Sequence, residues 1–378
     1  MPVTVVGIDA SRAVVPNPTG VEEYSRRVIE RMVRLAPDVR FRLYTCTKPS
    51  GNEDFLAHPG GAESDIPDNV EWKAMPFPRL WTHLRLSWEM AFRSPDALFV
   101  PSHVIPLVHP RASFVTVHDL GYLWFPHAHT FSQRLYLDLS TRWNVAVSRK
   151  VFAVSNATAK DLVERYGADE SKVSVVYPGV NERIKRVGRD ERKPVLEKYG
   201  LEDGKYVLYL GTIQPRKNLK RLIEAFARLP ARDGLKLVIA GKKGWKTAEI
   251  TRVATQLGLG DGIAFTGYVP EEEKAALLSG ALVFAFVSLY EGFGFPVLEA
   301  QACGTPVLAS NTSSLPEVAG DGALLVDPTS IDAIAYGLQR LIEGEGLRAD
   351  LVAKGRENVK RFSWDETAKK ILEAILER

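Results

Sequence analysis

The sequence predicts two doubly wound parallel α/β domains in tandem, and three observations carry that expectation. Short β-branched runs alternate with helical patterns along nearly the whole chain, the pattern of a parallel sheet covered on both faces. The length of 378 residues exceeds what one hydrophobic core ordinarily serves. The alternation breaks once, at a charged stretch from Pro178 to Tyr199 that includes NERIKRVGRDERKP and reads as a linker.

Before that stretch, strands are expected at VTVVGI, FRLYTC, VEWKAM, ALFVP, SFVTV, KVFAVS and VSVVY. After it they recur at YVLYLG, LKLVIAG, IAFTG, ALVFAFV, TPVLAS and ALLVD. The helices between them carry apolar stripes at helical spacing. One is Val21, Tyr24, Val28, Met32 and Leu35; another is Leu219, Leu222, Ile223 and Phe226. Each should pack on its sheet. Ligands of such sheets bind beyond the carboxyl ends of the strands, so two of them facing each other would form a cleft.

Composition removes several function classes. Hydrophobic residues at 45% and charged residues at 25% are globular values. The net charge of +3, from 49 basic and 46 acidic residues, is too even a balance to imply a nucleic-acid partner. Cys46 and Cys303 stand far apart without metal-ligand spacing, which fits a reducing cytosol. The N-terminal MPVTVVGIDASRA has no basic segment ahead of a long apolar one, and no run approaches ~18 apolar residues. The expectation is a cytoplasmic protein, neither secreted nor membrane-spanning.

Four strand ends carry candidate chemistry. NPTGVEEY follows the first strand, and its loop with Pro16, Pro18 and Gly20 brings a helix N-terminus to a strand mouth, where an anion is favoured. Alternatively, Gly20 only eases the turn; no G-x-G-x-x-G pattern is present. In TVHDLGYLWFPHAHTF, His118 and Asp119 stand where a strand ends. His118 could donate to a ligand hydroxyl or carbonyl with Asp119 orienting it, or serve a structural purpose. His127 and His129 show no metal-binding spacing.

The third is LGTIQPRKNLKRLIEAF, where Arg216 and Lys217 stand at a strand mouth and at the start of the next helix. This arrangement suits a phosphate, with Arg offering a fork and Lys a point charge; the alternative is a solvated basic face. The fourth is SLYEGFGFPVLEAQACGTPV. Pro296 suits the first helical position, so Glu299 falls in the opening turns and Glu291 on the loop before them. A carboxylate can accept both hydrogen bonds of a vicinal diol such as a ribose, and the glycine-rich loop exposes amides to further hydroxyls. A capping acid would explain Glu299 but not Glu291 and both glycines.

Taken together, these pieces resemble the retaining GT-B glycosyltransferases of the large family that includes sucrose synthases and bacterial mannosyltransferases, glycosyltransferase family four. EGFGFPVLE resembles that family's signature of Glu, seven residues, Glu, and GTPV follows it as expected. The likeness covers nearly the whole chain and is most specific from Tyr206 to Asp327. It implies two Rossmann-like domains, an acceptor-side domain over 1–180 and a donor domain over 181–362, with SWDETAKKILEAIL in a terminal segment, 363–378, returning to the first.

By the same resemblance, Glu291 contacts the donor sugar, Gly292, Phe293, Gly294 and Phe295 offer it amides, and Glu299 holds the ribose hydroxyls with Leu298 beside it. Arg216 and Lys217 bind the diphosphate, Gly20 approaches it from the other domain, and His118 faces the transferred sugar. Tyr268 and Val269, in GYVPEEEKAALL, lie against the base. Many members carry Arg directly after the strand glycine, where this chain has Thr212, and PRKN suggests that Arg216 supplies that charge.

The implied activity is retaining transfer of a hexose from a nucleoside-diphosphate sugar to a glycan or lipid-linked saccharide. It is expected to need no cofactor and no metal: one common ligand arrangement, an Asp-x-Asp pair, is missing, and Arg216 and Lys217 at a helix start offer fixed charges for the diphosphate. The HD pair with PRKN resembles mannosyl- and rhamnosyltransferases of bacterial surface polysaccharides, which favours GDP-mannose as donor. The rivals are a nucleotide-sugar 2-epimerase, for which more acids and histidines would be expected in the cleft, and a non-catalytic sugar-binding protein. Finally, RLWTHLRLSWEMAFR places Leu80, Trp81, Leu84, Trp88 and Phe92 near one helical face. That face is expected to be buried in the core; the alternative is peripheral contact with a lipid-linked acceptor at the inner membrane face.

Overall fold

The computed structural model describes residues 4–15, 20–47, 56, 67–102, 104–230, 234–242, 244 and 247–377. Pro16 and Pro18 lie outside them. The chain divides into two compact units, Met1–Gly179 with Phe362–Arg378, and Val180–Arg361.

The first unit is built on a sheet of β1 (Val5–Asp9), β2 (Arg40–Thr45), β3 (Val70–Ala74), β4 (Ala97–Val100), β5 (Ser113–Val117), β6 (Lys150–Ala153) and β7 (Val173–Val175). Its order is β3-β2-β1-β4-β5-β6-β7 and every pairing is parallel. The second unit holds β8 (Tyr206–Leu210), β9 (Lys236–Ala240), β10 (Ile263–Gly267), β11 (Val283–Phe286), β12 (Val307–Ser310) and β13 (Ala323–Val326). These run parallel in the order β10-β9-β8-β11-β12-β13.

All the predicted strands are present. The central ones, β4, β5, β8, β11 and β12, are buried at every residue, which is why they read as continuous rather than alternating apolar runs. Helices supply the cover. The stripe Leu219, Leu222, Ile223 and Phe226 is buried on the second sheet. In the helix Gly20–Leu35, Tyr24, Val28 and Met32 are buried, whereas Leu35 in the last turn is exposed. The helix Trp364–Leu376 packs on that helix, with the Trp364 and Tyr24 rings 5.8 Å apart.

Two expectations are corrected. The charged stretch is no simple linker, for Arg189–Lys198 forms a helix. Leu196 is its one buried side chain and joins Ile184 in the second core, while Arg192 is fixed to Asp203 at 2.7 Å. Val195, partly buried, packs beside it, and two adjacent apolar residues show no stripe in sequence.

The second correction concerns RLWTHLRLSWEMAFR, which does not bury the predicted face. Trp81 is inside, its indole donating to the Met75 carbonyl at 2.8 Å, but Leu80, Leu84, Trp88 and Phe92 are all exposed. The cause is local. Thr82–Leu86 is a π-helical turn, with the Leu86 amide bonded to the Trp81 carbonyl at 2.9 Å, and it runs into the helix Ser87–Arg93. The wider turn advances the register, so Trp81, Leu86 and Met90 face the core and the four-residue stripe faces out.

Candidate active site

In each sheet the strand order reverses once, between β1 and β4 in the first and between β8 and β11 in the second. Loops leaving neighbouring strands part at such a point and leave a crevice beyond their carboxyl ends. Arg216 and Lys217 follow β8, and Glu291 follows β11. The second switch point therefore gathers the charged residues expected to act.

Their geometry is specific. After β8 the chain makes a single 3-10 turn, Pro215–Lys217, and then passes through Asn218 in the left-handed region, φ +61°, into the helix Leu219–Ala227. The loop after β11 is stitched to this turn. The Leu289 amide donates to the Arg216 carbonyl at 2.8 Å, Arg216 Nη1 donates to the Tyr290 carbonyl at 3.1 Å, and Asn218 Nδ2 donates to the Val287 carbonyl at 2.9 Å. Glu291 consequently receives Lys217 Nζ at 2.6 Å on one carboxylate oxygen and Arg216 Nη1 at 3.0 Å on the other. The two cations are not a solvated basic face.

The electrostatics follow. Glu291 is 6% exposed and Lys217 8%. Burial works against ionisation of Glu291, but the Lys217 ammonium and the Arg216 guanidinium outweigh it and hold the carboxyl below its ordinary range. Two cations against one carboxylate leave the site positive, and the Lys217 ammonium also lies 4.9 Å from the centre of the Phe286 ring. An anionic group is the ligand this charge favours.

The glycine hinge is held from behind. Ser313, itself at φ +58°, accepts from the Glu291 amide at 3.1 Å and donates to the Glu291 carbonyl. Ser314 reaches the same carbonyl at 2.9 Å and that of Phe293. Gly292 and Phe293 are buried, and Phe295 opens the helix Phe295–Ala302, so Pro296 is its second residue rather than its first. Gly294 has φ +127°, and a Cβ there would lie 2.7 Å from Leu315 Cδ2, so the turn admits only glycine without rearrangement.

Other expected residues stand around this centre. Glu299 is half-buried on the hinge helix and faces Lys274, whose ammonium also pairs with Glu271 at 2.5 Å. Burial disfavours that ammonium, but the charges of Glu299 and Glu271 raise its pKa on balance. Tyr268 is exposed beside Lys242, whose ammonium is 4.6 Å from the ring centre. Thr212 is exposed, and its carbonyl accepts from Tyr209 Oη at 3.1 Å. Val269 and Leu298 are buried, so any contact they offer a ligand falls to the main chain.

In the first unit, Gly20 is the first residue of its helix and is exposed. His118 follows β5. Its Nε2 lies 2.8 Å from the Pro101 carbonyl beyond β4, and because a carbonyl only accepts, that nitrogen carries a proton. The ring packs edge-on against Tyr24 at 4.6 Å. Asp119 accepts from the Gly121 amide at 2.9 Å, a local turn contact two residues on, just ahead of the short helix Gly121–Trp124.

Sequence reasoning missed Asn218, Ser313, Ser314 and Lys274 as parts of the site. For Asn218 a signal existed, since Asn between a charged turn and an apolar helix is a common left-handed residue. The two serines carried none, because they meet Glu291 only once β11 and β12 lie side by side.

Comparison with known proteins agrees with this arrangement. The model described as Glycosyltransferase Family 4 matches residues 18–183, and that described as Glycosyl transferases group 1 matches residues 191–358. The O-antigen chain mannosyltransferase B of Escherichia coli is 30% identical over 299 residues, covering 78% of each chain. The serotype-specific mannosyltransferase WbdA of the same species is 32% identical over 231 residues, which span 60% of this chain and 28% of that longer one. Among solved structures, Anabaena HepE in complex with UDP and glucose superposes with a TM-score of 0.73 at 18% identity, covering 98% of both chains. WaaG, a glycosyltransferase involved in lipopolysaccharide biosynthesis, gives 0.71 at 18% identity, covering 99% of this chain and 100% of that one. With both family models matched in order and two switch-point sheets beneath them, the chain belongs to the family 4 glycosyltransferases and has the GT-B fold.

Proposed function

We propose that this glycosyltransferase moves a hexose, with mannose favoured, from a nucleoside-diphosphate sugar to a glycan or lipid-linked saccharide, retaining the anomeric configuration. The observation that carries this is the cluster of buried Glu291 and Lys217 with half-buried Arg216 at the second switch point. Its positive excess suits a diphosphate, and its carboxylate suits a sugar hydroxyl. The mannose preference draws on the Escherichia coli relatives, named mannosyltransferases. A nucleoside-diphosphate donor draws on neighbours named as UDP complexes, while GDP as the nucleotide follows from the mannose preference and the likeness of the HD pair and PRKN to mannosyltransferases.

In the proposed mechanism the second unit holds the donor. Arg216 and Lys217 take the diphosphate, Glu291 and the amides of Gly292 to Phe295 take the sugar, and Glu299 takes the ribose diol, with Leu298 beside it. The main chain at Tyr268 and Val269 meets the base, and Thr212 lies beside the phosphates. The first unit receives the acceptor, with Gly20 and His118 as the residues it contributes. The bond from C1 to the phosphate oxygen breaks as the acceptor oxygen bonds C1 on the same face, and the acceptor proton passes to the departing diphosphate. Charge building on that leaving group meets cations already fixed before substrate arrives, so little reorganisation is needed and no metal is required.

Surface polysaccharide synthesis at the inner face of a membrane fits this reading, with peripheral contact there. Among the described residues no helix is long and apolar enough to cross a membrane. Incubation with a panel of nucleotide sugars and acceptors tests the proposal. Release of nucleoside diphosphate with formation of an α-linked product from an α-linked donor is the expected result. An epimerised sugar, or no change at all, would replace it with one of the rival readings.

A further inference from the structure

The first unit exposes apolar side chains in an ordered pattern. Leu80, Leu84, Trp88 and Phe92 recur at every fourth position and all face solvent, Trp88 64% and Phe92 68% exposed. The last two rings pack on each other with centroids 4.7 Å apart. A second stripe, Phe131, Leu135 and Leu139, repeats the spacing on the helix Phe131–Val147, with Phe131 79% exposed.

The stripes belong to one continuous face. His83 Nε2 and Tyr136 Oη lie 3.1 Å apart and join the first segment to the second helix. Between them the exposed Leu107 and Val108 stand on a loop pinned at both sides. The Val108 amide donates to Ser87 Oγ at 3.3 Å, the Ile105 amide donates to Asn144 Oδ1 at 2.9 Å, and the Ile105 carbonyl accepts from the Trp143 indole at 2.9 Å. The backing is rigid, because Trp81, Leu86 and Met90 anchor the first segment in the core.

The charge around the face is one-sided. Arg79, Arg93 and Arg134 are exposed on these same segments. Their carboxylates are engaged within the unit: Glu89 is buried against Arg85 at 3.3 Å, and Asp138 accepts from Arg142 and from Tyr166, both at 2.9 Å. An apolar, aromatic-rich centre with an arginine rim is the pattern of a surface that enters the headgroup region of an anionic bilayer. A second copy of the chain pairing through the same patch would bring like-charged rims together, which disfavours that occupant.

We infer that this face of the first unit docks on an anionic membrane surface, with both stripes in the headgroup–acyl boundary and the arginines on lipid phosphates. The inference deepens the proposed function, since a lipid-linked acceptor would be presented there, but vesicle binding is measured without transfer.

The full chain is sedimented with vesicles of phosphatidylcholine, with and without phosphatidylglycerol. Binding is expected to the anionic vesicles and to weaken with added salt. The combined Trp88→Ser, Phe92→Ser and Leu135→Ser variant should lose about tenfold or more in partitioning, as loss of inserted apolar area requires. Arg79→Gln and Arg93→Gln should each lose about fivefold on anionic vesicles alone. Because these side chains are exposed, the circular dichroism melt should not move. As a second readout, Trp88→Phe should keep vesicle binding while losing fluorescence quenching by brominated lipid. Absence of binding by the parent chain would overturn the inference, as would a dimer in sedimentation velocity that the triple variant abolishes. Nucleoside diphosphate release on the same preparations separates the two claims: vesicle binding without release removes the proposed function and leaves the docking face.

Discussion

The two units share an architecture and differ in what they do with awkward side chains. Each is a parallel sheet with one reversal of strand order. At its reversal the second unit buries a carboxylate between two cations and clamps the loop that carries it with two serines. The first unit has at the corresponding place Asp9, buried with Oδ1 accepting from the Ser11 amide at 3.0 Å, and it turns Trp88, Phe92 and Phe131 toward solvent instead. The contrast teaches that a doubly wound sheet fixes where a site can lie but not its chemistry. Buried paired charge suits a small, anionic, invariant ligand; a broad apolar face suits a partner met across a surface.

The contrast breaks most visibly if the cation pair is dispensable. Arg216→Ala should lower turnover by roughly 10²-fold or more, the scale for removing one fixed charge stabiliser, and transfer by the parent chain should survive EDTA. Steady-state rates with and without chelator check both. Normal turnover in the variant would misplace the phosphate site, and rescue of EDTA-treated protein by manganese would end the metal-free mechanism.

Glu291→Gln tests the buried charge itself. It leaves Lys217 without its carboxylate, and breaking a buried pair costs roughly 3 kcal/mol. Because the folded pKa of Glu291 is depressed, its contribution is complete above the unfolded carboxylate pKa of about 4.3 and fades as pH falls through the lower folded value. The gap in melting temperature between parent and variant should therefore be widest near neutrality and close in acid. A gap independent of pH would show that the carboxylate is not ionised in the folded protein.

Division of labour between the two acids is a smaller effect. Glu299→Ala should weaken nucleoside diphosphate binding about tenfold through loss of the ribose contact. Glu291→Ala should leave that binding unchanged or tighter, because it releases Arg216 and Lys217, while transfer falls. Calorimetry with the diphosphate alone decides, and equal losses would remove the assignment.

The first unit should respond most mildly. His118→Ala is expected to lower turnover about tenfold and to cost about 2 kcal/mol, from loss of its edge contact with Tyr24 and its hydrogen bond to the Pro101 carbonyl. Initial rate and melt on one preparation test this; a collapsed melt with little change in rate would make His118 structural.

Much was legible in the chain. The central strands were readable because each is a short apolar run, and burial on both faces demands that composition whatever packs outside; the edge strands β3, β7 and β10, with no fully buried residue, were marked instead by β-branched and aromatic residues. The mouth residues were readable because Arg216, Lys217 and Glu291 follow such runs at once, and a strand's end fixes where the next few residues lie. The helix Arg189–Lys198 was not readable, since only the adjacent Val195 and Leu196 pack on the core and two neighbours make no helical stripe.

What sequence determined by itself was therefore local: strand positions, the glycine hinge, and the polar groups at each mouth. Tertiary structure alone decided which of them meet. Arg216 and Glu291 are 75 positions apart and touch only because β8 and β11 pair at the switch point. Ser314 reaches Glu291 only because β12 lies beside β11. The direction of the Trp88 stripe was likewise undetermined, because spacing shows that side chains share a face and not which way the face turns. A single π-helical turn after Trp81 set that, by giving the core Leu86 and Met90 and leaving Trp88 and Phe92 to the solvent.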